Sequence, residues 1–77
     1  MTYTLDIILN EDQSTLTKII TTLRKLQFNI QLFHLEKETD STKSFIQAEL
    51  IGDRSIDLLE KSLKKIEGVQ EVCNTTQ

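Results

Sequence analysis

The sequence predicts an α+β sandwich in which two helices cover one face of a four-stranded antiparallel sheet. Hydrophobic residues alternate with polar ones in some segments and recur every third or fourth position in two others, which indicates both strands and helices. The 77 residues include only two glycines and no proline. Few sharp turns are therefore available, and most of the chain is expected to lie in regular elements.

The spacing of hydrophobic residues changes from every second position in the first strand to every third or fourth in the first helix. Residues 3–9 alternate as a half-buried strand does, with hydrophobic residues on one side: Tyr3, Leu5, Ile7 and Leu9. The following segment carries hydrophobic residues at helical spacing: Leu16, Ile19, Ile20, Leu23 and Leu26. Asp12 or Ser14 can cap this helix by accepting a hydrogen bond from a free N–H of its first turn.

Two further strands are predicted in the middle of the chain. Residues 28–36, "FNIQLFHLE", are apolar at both parities and rich in residues that favour strands. A polar turn at 39–42 separates them from a strand at 43–51, which Gly52 and Asp53 end.

A second helix and a last strand complete the chain. The helix is indicated by a hydrophobic stripe at Ile56, Leu59, Leu63 and Ile66. Asp53 or Ser55 can cap its start, lysines near its end suit the helix dipole, and Gly68 supplies a left-handed stop. Residues 69–74 are then predicted to form the fourth strand.

The order of elements, β-α-β-β-α-β, predicts the topology. Right-handed crossovers place the first and third strands in the centre of the sheet and the second and fourth at its edges, with both helices on one face. This arrangement is the ferredoxin-like α+β sandwich, a fold that hosts many unrelated functions.

Composition excludes several classes of function. A net charge of −3 and a pI near 5.0, with lysines and arginines spread among acids along the chain, argue against a nucleic-acid surface. Cys73 and His34 are the only residues of their kinds, so neither a disulfide framework nor a metal cluster is expected. With no apolar segment of membrane-spanning length, the sequence predicts a soluble cytoplasmic protein, and its small core favours self-association.

The turn after the first strand, "NEDQST", is where ferredoxin-like proteins often place their chemistry. It lacks the paired cysteines of a copper or zinc carrier and the arginine of an acylphosphatase-like phosphate site. Stacking of RNA bases on Tyr3 and Phe45 is disfavoured by the acidic balance. His34 is interpreted as a partly buried strand residue and Cys73 as a packing residue, so no catalytic site is indicated.

The second strand is predicted to lie at the rim of the sheet with apolar groups on both faces: Phe28, Ile30, Leu32, Phe33 and Leu35. Such an edge must be covered to prevent aggregation. Its end could be tucked under the first helix, or it could pair with its own copy across a two-fold axis and extend the sheet. The second alternative is favoured, because the small core also calls for a partner.

Several motifs resemble the ACT domain, a small ferredoxin-like module that binds amino acids at dimer interfaces. They are "TLDIIL" before the first turn, "STLTKIITTLRKLQ" after it, and "LQFNI" at the second strand. The closer resemblance is to the single-domain small regulatory subunit of acetolactate synthase (acetohydroxyacid synthase), which has "Gly-Asp" before its second helix. That pair is Gly52-Asp53 here, and "SLKKI" at 62–66 matches the family's motif within the helix.

The resemblance implies an effector site where an amino acid, typically valine or isoleucine, lies between two ACT domains. The residues at the matching positions are Glu11, Asp12, Gln13, Ser14, Asn29 and Ile30. The family's asparagine is kept as Asn29, whereas serine replaces its glycine at position 14 and glutamate replaces the asparagine of the turn. Gln27 similarly replaces the glycine that closes the first helix.

The departures predict a weak or vestigial site. The Ser14 side chain fills space that glycine would leave for a carboxylate. Glu11 and Asp12 would repel that carboxylate by about 1–4 kcal/mol per charge. Attraction to the helix dipole contributes only about 0.3–1 kcal/mol, so repulsion is expected to dominate.

Two functions follow from the resemblance. One is a non-catalytic subunit that dimerises through the second strand and activates the thiamine-diphosphate-dependent catalytic subunit of acetolactate synthase, in branched-chain amino-acid biosynthesis. The alternative is a free-standing ACT homodimer that binds an amino acid and regulates another protein. In either case residues 1–77 are expected to form a single ACT-like domain, ordered over about 2–74, with no cofactor.

Overall fold

The computed structural model describes residues 1–10, 13–39 and 42–75. Along the chain, the elements are β1 (Thr2–Asn10), α1 (Gln13–Lys25), β2 (Asn29–Lys37), β3 (Lys43–Ile51), α2 (Ile56–Lys64) and β4 (Val69–Asn74). The four strands form one antiparallel sheet in the order β2-β3-β1-β4. The predicted βαββαβ fold is therefore confirmed, with β1 and β3 in the centre.

The core lies between the two helices and one face of the sheet. Along the two central strands, buried residues alternate with more exposed ones, so that one face of each strand is buried. The buried set joins both layers: Leu5, Ile7, Leu9, Ile19, Leu23, Phe28, Ile46, Ala48, Leu50, Leu59, Leu63 and Val72. Tyr3 packs against this core with its ring edge-to-face on Phe28, at a centroid distance of 6.2 Å. No helix of the described residues covers the opposite face of the sheet, which we call the open face.

The helix starts differ in part from the predictions. Ser14 lies inside α1, and the other predicted cap, Asp12, lies outside the described residues. Ser55 occupies the N-cap position of α2, but its side chain makes no capping hydrogen bond. The predicted capping interaction is therefore absent at Ser55, although the position is right.

Gln27 closes α1 in the left-handed conformation, with a φ of 63°. Its N–H donates to the Arg24 carbonyl at 3.0 Å, and the Phe28 N–H donates to the Leu23 carbonyl at 2.9 Å. This pair of bonds is the Schellman motif, which satisfies carbonyl groups left free at a helix end. Glycine usually occupies this position because a Cβ is strained there. Gly68, with a φ of 96°, takes the same region between α2 and β4.

Candidate functional site

The turn between β1 and α1 is flanked by the loop that joins α2 to β4. The Asn10 N–H donates to the Gly68 carbonyl at 2.8 Å, and the Gln70 side-chain amide donates to Asn10 Oδ1 at 2.7 Å. In the first turn of α1, the buried Thr15 hydroxyl donates to the Glu67 carbonyl at 3.0 Å. These bonds join the residues on both sides of the turn to one loop.

The described residues of the predicted effector site do not meet within one protomer. Asn10, the last residue of β1, pairs with Lys43 at one end of the sheet. Asn29 lies at the other end, where it pairs with Ile51. Ile51 in turn pairs with Thr2, the first residue of β1. The nine residues of β1 separate these ends by about 27 Å. Ser14 follows Asn10 by four positions, a span of at most about 14 Å. Ser14 and Asn29 of one chain are therefore too far apart to touch the same amino acid.

The remaining predicted effector residues differ in how they are placed. Glu11 and Asp12 lie outside the described residues. Gln13 begins α1, and Ser14 is exposed in its first turn. Ile30 lies opposite Leu50 and packs against the core, so its side chain is directed away from the open face.

A β-bulge explains why β2 is apolar at both parities. The pairing with β3 shifts by one residue between Ile30 and Leu32. Ile30 and Phe33 consequently lie on the same, helix-covered side, although they are three positions apart, and both pack against the core. Part of the apolar character of β2 thus belongs to the protomer's own core.

The predicted rim surface is correspondingly smaller than expected. β2 begins at Asn29, and the preceding Phe28 is buried in the core, so its side chain is not part of the rim. Leu32 and Leu35 are 44% and 45% exposed and lie on opposite sides of the strand. These two leucines are the large apolar side chains of β2 that are exposed.

His34 and Cys73 both differ from their predicted environments. The His34 side chain is 56% exposed, with Nε2 3.1 Å from the Glu36 carboxylate, rather than partly buried. Cys73 is exposed on the open face opposite Asp6, rather than packed in the core. Sequence alternation did not reveal this, because β4 is short and hydrophobic residues occur on both its sides. Within the described part of the chain, no group of three or more His, Cys, Asp or Glu residues could hold a metal ion.

Two features of this region could not be predicted from the sequence. A Cβ at Gly68 would collide with the Thr15 side chain, so the loop approaches α1 closely. Thr15 occupies a position where its hydroxyl bonds a distant carbonyl, and nothing in its local sequence distinguishes it from the other threonines of α1. For Gly68, the sequence predicted only that it ends the second helix.

The sheet order and the two helices define a ferredoxin-like βαββαβ protein. Comparison of the sequence with known families shows which family of this fold it belongs to. The sequence profile of the ACT domain matches residues 11–72, most of the chain. The chain therefore belongs to the ACT domain family, a family of small-ligand-binding regulatory modules. No curated protein sequence matches it significantly. In the described residues, neither helix is long and apolar enough to cross a membrane.

Solved structures agree with this assignment at the level of the fold. The ACT domain of GTP pyrophosphokinase from Chlorobium tepidum superposes with a TM-score of 0.80 at 17% identity, covering 96% of both chains. The acetolactate synthase small subunit from Thermotoga maritima gives 0.82 at 17% identity, over 96% of this chain and 47% of that one. A formyltetrahydrofolate deformylase from Pseudomonas putida KT2440 gives 0.82 at 15% identity, over 100% of this chain and 29% of that one. The chain thus spans about half or less of the last two proteins.

Proposed function

We propose that this protein is a non-catalytic ACT module that works as a homodimer, binds a small amino acid between its two copies and regulates another protein. The observation that carries the proposal is the separation of Ser14 from Asn29 at opposite ends of the sheet. A site that uses both residues needs two chains.

Pairing of β2 with its own copy supplies the required geometry. A two-fold axis makes the two β2 strands antiparallel, so the start of one strand lies beside the end of the other. The end of β2, Lys37, pairs with Ser44, next to the Asn10–Lys43 end of the sheet. The partner's Asn29 would thereby be brought to the end of the sheet from which α1 begins. Leu32 and Leu35 would be covered in the same step.

The effector site is expected to be weak for the reasons found in the sequence. Ser14 replaces the family's glycine, and the two carboxylates of Glu11 and Asp12 stay close to it along the chain. A ligand at a hundred times its Kd stabilises a protein by about 2.7 kcal/mol. For a domain of this size that is a rise in Tm of roughly 10 °C or more. At a concentration equal to the Kd the stabilisation is only about 0.4 kcal/mol, so a weak site has to be tested with amino acids at concentrations well above its Kd.

A mixed-dimer experiment tests the shared site directly. Ser14→Leu and Asn29→Leu would each abolish the rise in Tm with valine or isoleucine when the variant is alone. Co-refolded mixtures of the two variants contain heterodimers in which one of the two sites keeps both native residues. We expect these mixtures to regain binding, at a stoichiometry of about one ligand per heterodimer.

The outcomes separate the parts of the proposal. If the mixture does not regain binding that the native protein shows, the site is not shared between chains. If none of the twenty amino acids changes the Tm of the native dimer, the effector part fails. A protein that sediments as one protomer at high concentration contradicts the dimer, on which the shared site depends.

A narrower candidate is the small regulatory subunit of acetolactate synthase. It is favoured by the "LQFNI" and "SLKKI" motifs and by the likeness of the fold to the Thermotoga maritima small subunit. The expected coupling to a catalytic subunit is about 1–3 kcal/mol, or roughly 5- to 150-fold in affinity. Co-purification with a thiamine-diphosphate-dependent catalytic subunit, and a rise in its activity, tests this candidate. A catalytic subunit that is fully active alone and does not co-purify would exclude it.

A further inference from the structure

The two faces of the protein differ in their balance of charges. The helices and the turns next to them carry the described acids Asp53, Asp57, Glu60 and Glu67, but lysines and arginines outnumber these acids there. Seven of the nine lysines and arginines lie in the helices or in the turns next to them: Lys18, Arg24, Lys25, Arg54, Lys61, Lys64 and Lys65. The open face instead carries four carboxylates in the strands: Asp6, Glu36, Glu49 and Glu71. Only Lys43 adds a lysine or arginine charge to this side of the described strands. Basic residues that are dispersed along the sequence are thus gathered on the helical side.

Apolar side chains lie among these carboxylates. Phe45 is 39% exposed and sits directly opposite Ile8 in the register of β3 and β1. Both residues line a groove of about 390 Å³ near the end of the β2–β3 pair. Its other lining residues are Glu36, Lys37, Glu38, Lys43 and Ser44. Ile51 is also exposed on this face, closer to the other end of the sheet. A face with several exposed apolar groups bordered by charge is typical of an interaction surface.

Asp6 occupies the centre of the open face and is incompletely bonded. It lies in a row across the sheet between Gln47 of β3 and Cys73 of β4. Its Oδ1 is shielded from solvent and accepts no hydrogen bond from any residue in the described part of the chain. Buried carboxylate oxygens almost always have a donor, so the Asp6 carboxylate keeps unused acceptor capacity at the centre of this face.

We infer that the open face docks a cationic amphipathic helix of a partner protein. Its apolar residues would cover Ile8 and Phe45, and an arginine or lysine would reach Asp6 with Glu49 and Glu71 on either side. Charge complementarity selects this occupant: a second copy would bring another acidic sheet face, and like charges disfavour that pairing. A helix also fits the dimensions, because four strands span about 15 Å and a helix is about 10–12 Å across.

This inference is independent of the β2 dimer and of any amino-acid ligand. The open face belongs to each protomer, and pairing through β2 would only place two such faces side by side. The docking surface would therefore be present in a monomer or in a dimer with an empty effector site, which keeps its test separate from the test of the proposed function.

The probe is an 18-residue amphipathic peptide made of leucine and arginine, compared with a peptide in which glutamate replaces every arginine. The protein is labelled with ¹³C in its isoleucine and leucine methyl groups and titrated with each peptide. We expect the cationic peptide to shift the methyl signals of Ile8 and Ile51 and to leave those of Leu58 on α2 unchanged. The acidic peptide should shift none of them.

Matched variants test the two parts of the surface. Phe45→Ser should weaken binding of the cationic peptide at least about tenfold, while Leu58→Ser, at a position of similar exposure on the helical side, should change it less than about twofold. Replacing Glu49 and Glu71 together by glutamine should weaken binding and reduce its dependence on salt. Replacing Asp57 and Glu60 of α2 by asparagine and glutamine should do neither.

Several results would overturn the inference. In the titrations, these are equal binding of the two peptides, no binding of either at millimolar concentration, or methyl shifts centred on α2. Among the variants, it is an equal effect of Phe45→Ser and Leu58→Ser on binding. If Phe45→Ser does not fold, the double glutamine variant of the exposed Glu49 and Glu71 still decides the outcome. An unchanged Kd for that variant would contradict the role given to the carboxylates.

Discussion

The hydroxyl of Thr15 donates a hydrogen bond of 3.0 Å to the carbonyl oxygen of Glu67, although the two residues are 52 positions apart. Thr15 is buried, and Gly68 lies directly against it. This contact joins the first turn of α1 to the loop before β4. It fixes where α1 begins relative to the sheet, and so determines the position of the candidate effector turn.

Thr15→Val keeps the shape of this side chain and removes its donor. The loss leaves the Glu67 carbonyl without this partner and should destabilise the fold by about 1 kcal/mol, lowering Tm by roughly 4–8 °C. Thr22→Val is the matched control, because the Thr22 hydroxyl bonds the Lys18 carbonyl at 2.8 Å within one exposed stretch of helix. Its Tm should change by much less. Equal losses in the two variants would show that the contact to the loop contributes no additional stability.

Gln27→Gly should be neutral or stabilising. Gln27 has a φ of 63°, where a side chain costs roughly 1 kcal/mol relative to glycine, while glycine gains some entropy in the unfolded chain. We therefore expect an effect between neutral and about 1 kcal/mol of stabilisation, measured by urea unfolding. Lys25→Gly, in the last turn of α1, should instead destabilise by up to about 1 kcal/mol. A clear drop in stability for Gln27→Gly would contradict the left-handed assignment.

Gly52→Ala should be destabilising for a purely steric reason. A Cβ at position 52 would lie 2.5 Å from Cδ1 and 2.8 Å from Cε1 of the buried Phe28 ring. Overpacking of this kind costs typically 1–3 kcal/mol. In the double variant with Phe28→Leu, the added methyl group should cost less than it does alone, which a double-mutant cycle measures as a coupling energy. Additive effects would mean that the ring does not limit the size of residue 52.

Replacement of rim leucines should weaken the proposed dimer. Leu32→Lys and Leu35→Lys introduce charges at exposed positions of β2, which would be desolvated or would repel their copies across the two-fold axis. We expect sedimentation velocity to show dissociation at concentrations where the native protein is dimeric. Leu58→Lys is the control, because Leu58 is 43% exposed but lies on α2. Its dimer should be unaffected, and dissociation of all three variants alike would argue against the β2 interface.

The sequence by itself determined the order of elements, the sheet topology and most of the core. Alternation in β1 and β3 and the helical stripes at Ile19, Leu23, Leu59 and Leu63 are local patterns, and they report which side of each element leaves water. The resemblance to the ACT domain also indicated that Gln27 takes the place of a helix-closing glycine, and the structure shows the left-handed conformation there.

Only the tertiary structure decided the register and the long-range contacts. The bulge in β2 placed Ile30 and Phe33 on one side, and the exposure of His34 and Cys73 depended on which strands and helices covered them. The bond from Thr15 to Glu67 and the distance between Ser14 and Asn29 likewise depend on how distant segments are placed in space. The physical reason is that periodicity indicates which side of a helix or strand faces the core. Which residues a side chain contacts there depends on the packing of elements that are far apart in the chain.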